Sequence, residues 1–156
     1  EDLAPFEQRS RQDLMRTANL YFDGIELNNG NIVPLGADVF RVENGVCTAN
    51  SKEVYPEMGP MAELACLGVA EQLNRGLFEY IEAIRDRRYL VADEERGVVF
   101  GVFFADYPGS AEGEATPAVS RSTAMICEAF KIRNGLIEQV ESVGTLLPYG
   151  TSSGWR

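Results

Sequence analysis

The spacing of apolar positions changes several times along the chain, and each change marks an element. From Ser10 the run SRQD resembles a capping box with Asp in place of Glu, and Leu14, Ala18, Tyr21, Phe22 and Ile25 follow at helical spacing. This predicts an amphipathic helix over about residues 10–27, closed by Asn28-Asn29-Gly30. The period then shortens: ADVFRVENGVCT alternates around Asn44-Gly45, the signature of a short hairpin. Helical spacing returns in PMAELACLGVAEQLNRGLFEYIEAIRD, where Leu73, Leu77, Tyr80, Ile81 and Ile84 form one stripe and Gly68 and Gly76 interrupt it. One broken helix or two short ones are expected there.

After Arg85 the pattern is that of strands. RRYLVADEERGVVFGVFFADYPG reads as a strand pair around the charged turn Asp93 to Gly97, with a second strand apolar enough to be covered on both faces. Residues 108–119, PGSAEGEATPAV, are a Gly/Pro/Ala-rich connection. A long hairpin follows around Asn134-Gly135, and residues 148–156 form a turn-rich tail. Helices that precede a run of antiparallel strands predict an α+β domain, with the sheet curved around the N-terminal helices to make a cone with an internal pocket.

The final hairpin raises the chemical question. A two-residue turn at Asn134-Gly135 sets Arg133 opposite Leu136, Ile132 opposite Ile137, Phe130 opposite Gln139 and Glu128 opposite Glu141. Because side chains alternate with period two, Ile126, Glu128, Phe130 and Ile132 would share the more apolar face with Ile137, Gln139, Glu141 and Val143. Two facing carboxylates cannot both ionise easily, so one is expected to hold a proton and serve as an acid beside a base. The alternative is that both accept hydrogen bonds or an ion pair and only organise the core.

Composition narrows the chemistry. The chain has 156 residues, enough for one domain spanning 1–156. A formal net charge of −10 argues against nucleic acid or an anionic membrane surface as the main partner. No apolar run approaches the roughly 18 residues of a membrane span, and the N-terminus lacks the features of a signal peptide. A cytoplasmic location is expected, with a removed targeting segment left open because the sequence does not start at Met. The three cysteines, Cys47, Cys66 and Cys127, lack metal-ligand spacing and read as isolated thiols rather than a disulfide. There is no histidine, which excludes Ser-His-Asp and Cys-His machinery and any His-ligated metal. No P-loop, dinucleotide fingerprint or calcium loop occurs, and no metal or cofactor is expected.

The stretches NLYFDGIELNNG, RVENG, GVAEQLNRGLFEYI, RDRRYLVADEERGVVFGVFFADYPG, EAFKIRNGLIEQVESV and PYGTSSGW span nearly the whole chain. Together they resemble the nuclear transport factor 2-like, or SnoaL-like, superfamily, and within it a bacterial and fungal group marked by VADEERGVV and PYG…SGW. Some members of that group look like tandem duplications, of which this chain matches the second copy. The resemblance implies a conical α+β barrel used by dehydratases, isomerases, cyclases and cofactor-free lyases, and also by pure binding modules. Fold alone therefore does not choose a function.

The expected reading is a cofactor-independent lyase, dehydratase or isomerase acting on a small, largely apolar molecule, aromatic ones included. Glu128 and Glu141 supply acid and base. Arg41 shares one strand face with Glu43: pointing inward it would neutralise the pair or bind an oxygen of the substrate, and otherwise it forms a rim ion pair beside the Asn-Gly turn. Tyr21 and Tyr80 lie on apolar stripes and offer hydroxyls to a pocket, although core packing accounts for them as well. Tyr89, Phe130 and Gln139 complete the predicted substrate contacts. The rival reading is a non-catalytic ligand-binding or oligomerisation module. Alternate apolar residues of VVFGVFF leave a sheet face to cover, which predicts a homo-oligomer.

Overall fold

The computed structural model describes residues 1–53, 61–109 and 120–154. Helix α1, Arg11–Glu26, starts where the capping pattern places it: the Ser10 hydroxyl accepts the Asp13 backbone N–H at 3.2 Å and donates to the Asp13 carboxylate at 2.7 Å. It ends at Asn28, whose φ of 49° breaks the helical path. The buried face of α1 carries Leu14, Ala18, Tyr21, Phe22 and Ile25. Phe22 packs on Phe103 and Phe130 with ring centroids 4.3 and 5.6 Å away, so the helix is fixed to the sheet by aromatic burial of roughly 2–3 kcal/mol per ring.

Six strands form one sheet: β1 Leu35–Glu43, β2 Val46–Ala49, β3 Ala83–Asp93, β4 Val98–Tyr107, β5 Ser122–Arg133 and β6 Leu136–Pro148, in the order β2-β1-β6-β5-β4-β3. All neighbours are antiparallel except β1 and β6, which run parallel. Both Asn-Gly turns form as expected, with positive φ at Asn44, Gly45, Asn134 and Gly135. Asn44 also clips the first hairpin to β6: its N–H donates to the Ser142 carbonyl at 2.8 Å, and its side-chain oxygen accepts the Gly144 N–H at 3.0 Å. The fold is the expected α+β arrangement of a curved sheet on helices.

Two expectations are corrected. Two short helices, α2 Met61–Ala65 and α3 Val69–Asn74, occupy the described part of the second helical region, one of the two arrangements expected, but the stripe assigned to them runs past their end. After Gly76 the chain turns through Tyr80, and Ile84 belongs to β3, so the apolar stripe 73–84 does not lie on one helix. The β-rich run Ile84 to Val91 prefers the edge of the sheet, where it pairs with β4. Arg87 is therefore on β3, where it binds Asp23 and Glu26 of α1, each at 2.6 Å.

The second correction concerns the last hairpin. Arg133 faces Leu136 and Ile132 faces Ile137 as predicted, but the next pair is Lys131 with Gln139. Glu138 is an extra residue on β6, a bulge, and everything beyond it changes face. Phe130 faces Val140 rather than Gln139, and Glu128 faces Ser142 rather than Glu141. Val140 and Ser142 are buried, while Glu141 and Val143 are exposed on the outer side.

The outer side of β4 is covered at its C-terminal end, where Phe104 and Asp106 are both buried. Arg85 forks onto Asp106 at 2.6 and 3.0 Å and donates to the Thr151 carbonyl at 2.8 Å. The tail is thus tied down, with Gly150 N–H donating to Thr123 Oγ1 at 2.9 Å and Tyr149 bonded to Glu82 and stacked under Arg121. Trp155 and residues 110–119 of the predicted connection lie outside the described residues. The three cysteines are free thiols. Among the described residues no helix is long and apolar enough to cross a membrane.

Candidate functional site

The row across β1, β6 and β5 defines the site. Ser142 is the register partner of both Glu43 and Glu128, so the two glutamates point to the same concave side from strands separated by β6. They line a small chamber, ≈ 70 Å³ in volume, together with Tyr21 and Ile25 of α1, Phe78 and Tyr80 of the segment after α3, and Phe103 and Tyr107 of β4. A wider outer recess of ≈ 290 Å³ shares Glu43, Tyr107, Ile126 and Ser142 with it and carries Gly144 and Leu146 at its rim. A third space of ≈ 80 Å³, behind Glu43, Phe78 and Tyr80, reaches Arg41 and Gln72. One water needs about 10–15 Å³ of such space, so the chamber has room for several waters or a compact ligand.

Glu128 is 4% exposed. Among the described residues no donor bonds its carboxyl, and burial, helped by the charge of Glu43, pushes its pKa from 4.5 up to about 8 against the opposing charge of Arg41. It is therefore a neutral acid at pH 7, able to donate a hydrogen bond or a proton.

Arg41, 2% exposed, does point inward, but its donors are committed to the protein. Nε reaches Thr48 Oγ1 at 2.9 Å and Glu43 Oε2 at 3.3 Å, Nη2 reaches Gln72 Oε1 at 2.7 Å and the Thr48 carbonyl at 3.4 Å, and Nη1 donates to the Tyr21 hydroxyl at 3.3 Å. Its face lies over the Phe78 ring at 4.9 Å. Gln72 is held in turn, its amide donating to the Thr48 and Leu64 carbonyls at 2.6 and 2.8 Å. Arg41 is consequently a buried strut that orients Glu43 and Tyr21, not a free anion-binding group.

The tyrosines divide into two sets. Tyr21, Tyr80 and Tyr107 line the chamber, and desolvation raises the pKa of each. Tyr89 is elsewhere: its hydroxyl donates to Asn19 at 3.1 Å, and burial pushes it up to about 12. Phe130 is core, packed edge-on to Tyr21 at 5.4 Å. Gln139 and Glu141 are carried to the outer side by the bulge, so neither reaches the chamber. Of the sequence-predicted set, Glu128, Arg41, Tyr21 and Tyr80 come together. Glu43 was legible only as the same-face neighbour of Arg41, while Tyr107, Phe78, Gln72 and Ser142 carried no signal. Among the described residues no cluster of three acidic or thiol side chains is placed to hold a metal ion.

A curved sheet wrapped on one long helix with a lined chamber between them makes this a nuclear transport factor 2-like, or SnoaL-like, fold. The chain belongs to the family described as a domain of unknown function, DUF8021, whose model matches residues 7–144. Solved structures share the fold at low identity. AusH from Aspergillus nidulans is 13% identical with a TM-score of 0.54, over 87% of this chain and 86% of that one. A candidate polyketide cyclase from Xanthomonas campestris is 18% identical with a TM-score of 0.54, over 85% and 90%. A nuclear transport factor 2-like protein of unknown function from Burkholderia xenovorans is 12% identical with a TM-score of 0.52, over 93% and 91%. No curated protein matches the sequence.

Proposed function

We propose that the chain is a cofactor-independent enzyme that shifts protons on a small, largely apolar molecule in a lyase, dehydratase or isomerase reaction. The observation that carries this is the buried Glu128, a carboxyl still protonated up to about pH 8, on the same chamber as the ion-paired Glu43. A protonated carboxyl and a second one held in an ion pair on the same chamber supply an acid and a base. Glu43 accepts a proton from the substrate while Glu128 gives its own proton to the substrate oxygen, and exchange with water restores both. Arg41 acts through Glu43 and Tyr21 as a positioning residue. Supporting context comes from the similarly folded candidate polyketide cyclase, whose name denotes chemistry on a small organic molecule.

The test combines a carboxyl-observed NMR titration with a screen of small molecules that eliminate or isomerise. Glu128 is expected to titrate near 8, turnover is expected to fall above that pH, and Glu128→Gln and Glu43→Gln are each expected to abolish turnover with the fold intact. A Glu128 value near the ordinary glutamate pKa of about 4.3 would overturn the reading. Ligand binding that both variants retain, with no turnover in the screen, would establish the binding-module alternative instead.

A further inference from the structure

We infer that the chamber selects uncharged ligands bearing an acceptor oxygen, such as a ketone, and turns away carboxylates and organic cations of the same shape. The inference rests on the reading of this chamber as the substrate site and adds the class of molecule it takes.

The argument begins with the direction of hydrogen bonds. The Tyr21 hydroxyl accepts from Arg41 Nη1, so one of its lone pairs is occupied and its proton is left to donate. Among the described residues that proton has no acceptor, and the hydroxyls of Tyr80 and Tyr107 have no partner either. Burial holds all three phenols protonated at neutral pH. Glu128 adds a fourth donor. Against these four donors the lining sets one carboxylate, Glu43, which is itself paired with Arg41, so a ligand that brings an acceptor oxygen gives the remaining donors a partner that does not have to be drawn from water.

Charge makes the complementary argument. Among the described residues no Lys or Arg lines the chamber, and the nearest guanidinium, Arg41, has every nitrogen engaged. A carboxylate entering there would lose its hydration beside Glu43 and meet no free cation. An organic cation would find Glu43 already paired with Arg41 and Glu128 protonated, and it would have to displace the Glu128 proton in order to gain a counterion. A neutral acceptor incurs neither cost.

The test uses four probes of one size and shape class: acetophenone, its hydrocarbon isostere α-methylstyrene, benzoate and benzylammonium. Binding to the full chain is followed by protein NMR at about pH 6 and about pH 9, on either side of the Glu128 transition. Acetophenone is expected to bind about tenfold more tightly than each of the others at the lower pH, the factor one or two buried hydrogen bonds provide. That advantage is expected to shrink at the higher pH, where Glu128 ceases to donate, and in Tyr21→Phe, a change that keeps the ring. Benzoate or benzylammonium binding as tightly as acetophenone would overturn the inference, as would failure of acetophenone to exceed α-methylstyrene or to bind at all. Selective acetophenone binding without turnover of any screened molecule would leave the selectivity standing and remove the catalytic reading. Turnover of a charged substrate would do the opposite.

Discussion

Glu43 and Glu128 stand in one row across three strands, each the register partner of Ser142, so the backbone of β6 separates two acidic groups that face one chamber. Their inequality follows from what lies behind them. Glu43 has Arg41 at 3.3 Å, while Glu128 is buried with no donor among the described residues and keeps its proton.

That proton has a cost measurable in folding. A carboxyl whose pKa rises from 4.5 to about 8 on folding stabilises the native state fully below its unfolded value, and the contribution is lost as pH rises through the folded one. Native stability is therefore expected to fall between these limits by on the order of 4 kcal/mol from this group. Glu128→Gln should flatten the slope and leave the protein more stable than the parent at about pH 9. Urea denaturation at both ends of the range measures it, and a parent curve that is already flat would contradict the assignment.

Glu141→Gln should be silent. The residue is exposed on the outer side, so stability is expected to change by less than about 0.5 kcal/mol and the Glu128 titration not at all. A displaced Glu128 titration in this variant would restore the pairing that an unbulged hairpin predicts.

Arg41→Met removes the group that joins Thr48, Gln72, Tyr21 and Glu43. With Glu43 deprived of its partner and Gln72 of its donor, a loss of roughly 3–5 kcal/mol is expected by chemical denaturation. Arg41→Lys should recover only part of it, because one ammonium cannot span four acceptors in the fork geometry of a guanidinium. Full recovery in the Lys variant would show that only the charge matters.

Gly97→Ala tests the tight approach of the β3–β4 turn to β5. Gly97 has a φ of 59°, and an added Cβ would lie 2.0 Å from the Ile132 carbonyl oxygen. A loss of about 3 kcal/mol in thermal or urea unfolding is expected. An unchanged midpoint would mean that the turn repacks freely.

The parts of the fold readable in the sequence are those in which local chemistry and tertiary packing agree. Ser10 and Asp13 marked the start of α1, and the two Asn-Gly pairs marked their hairpins, because capping and positive φ are decided within a few residues. Glu128 was legible as an inward-facing charge because strand alternation is local, whereas the direction of Arg41 was left open between the chamber and a rim ion pair with Glu43. The partner of Glu128 was not, since a bulge at Glu138 is a long-range property: it arises where β6 must pair with β5 on one side and with β1 on the other, and no residue type announces it. Tyr80 and Ile84 kept a helical rhythm yet sit in a turn and a strand, because position at the sheet edge outweighs propensity.

The same bulge lets β6 carry one residue more than β5 between the Asn134-Gly135 turn and the chamber. Were the ladder to close over Glu138 with every residue kept, Glu141 would come in opposite Glu128 and Ser142 would turn out, whereas loss of Glu138 itself would remove the extra residue and leave Ser142 where it is. Single-residue gains and losses near a turn are among the simplest events in the history of a gene. On this scaffold the loss of one residue at the bulge is absorbed by a straight ladder, so relatives one residue shorter between the turn and Ser142 are expected to keep the serine between their inward acids and to differ only in the local twist of β6.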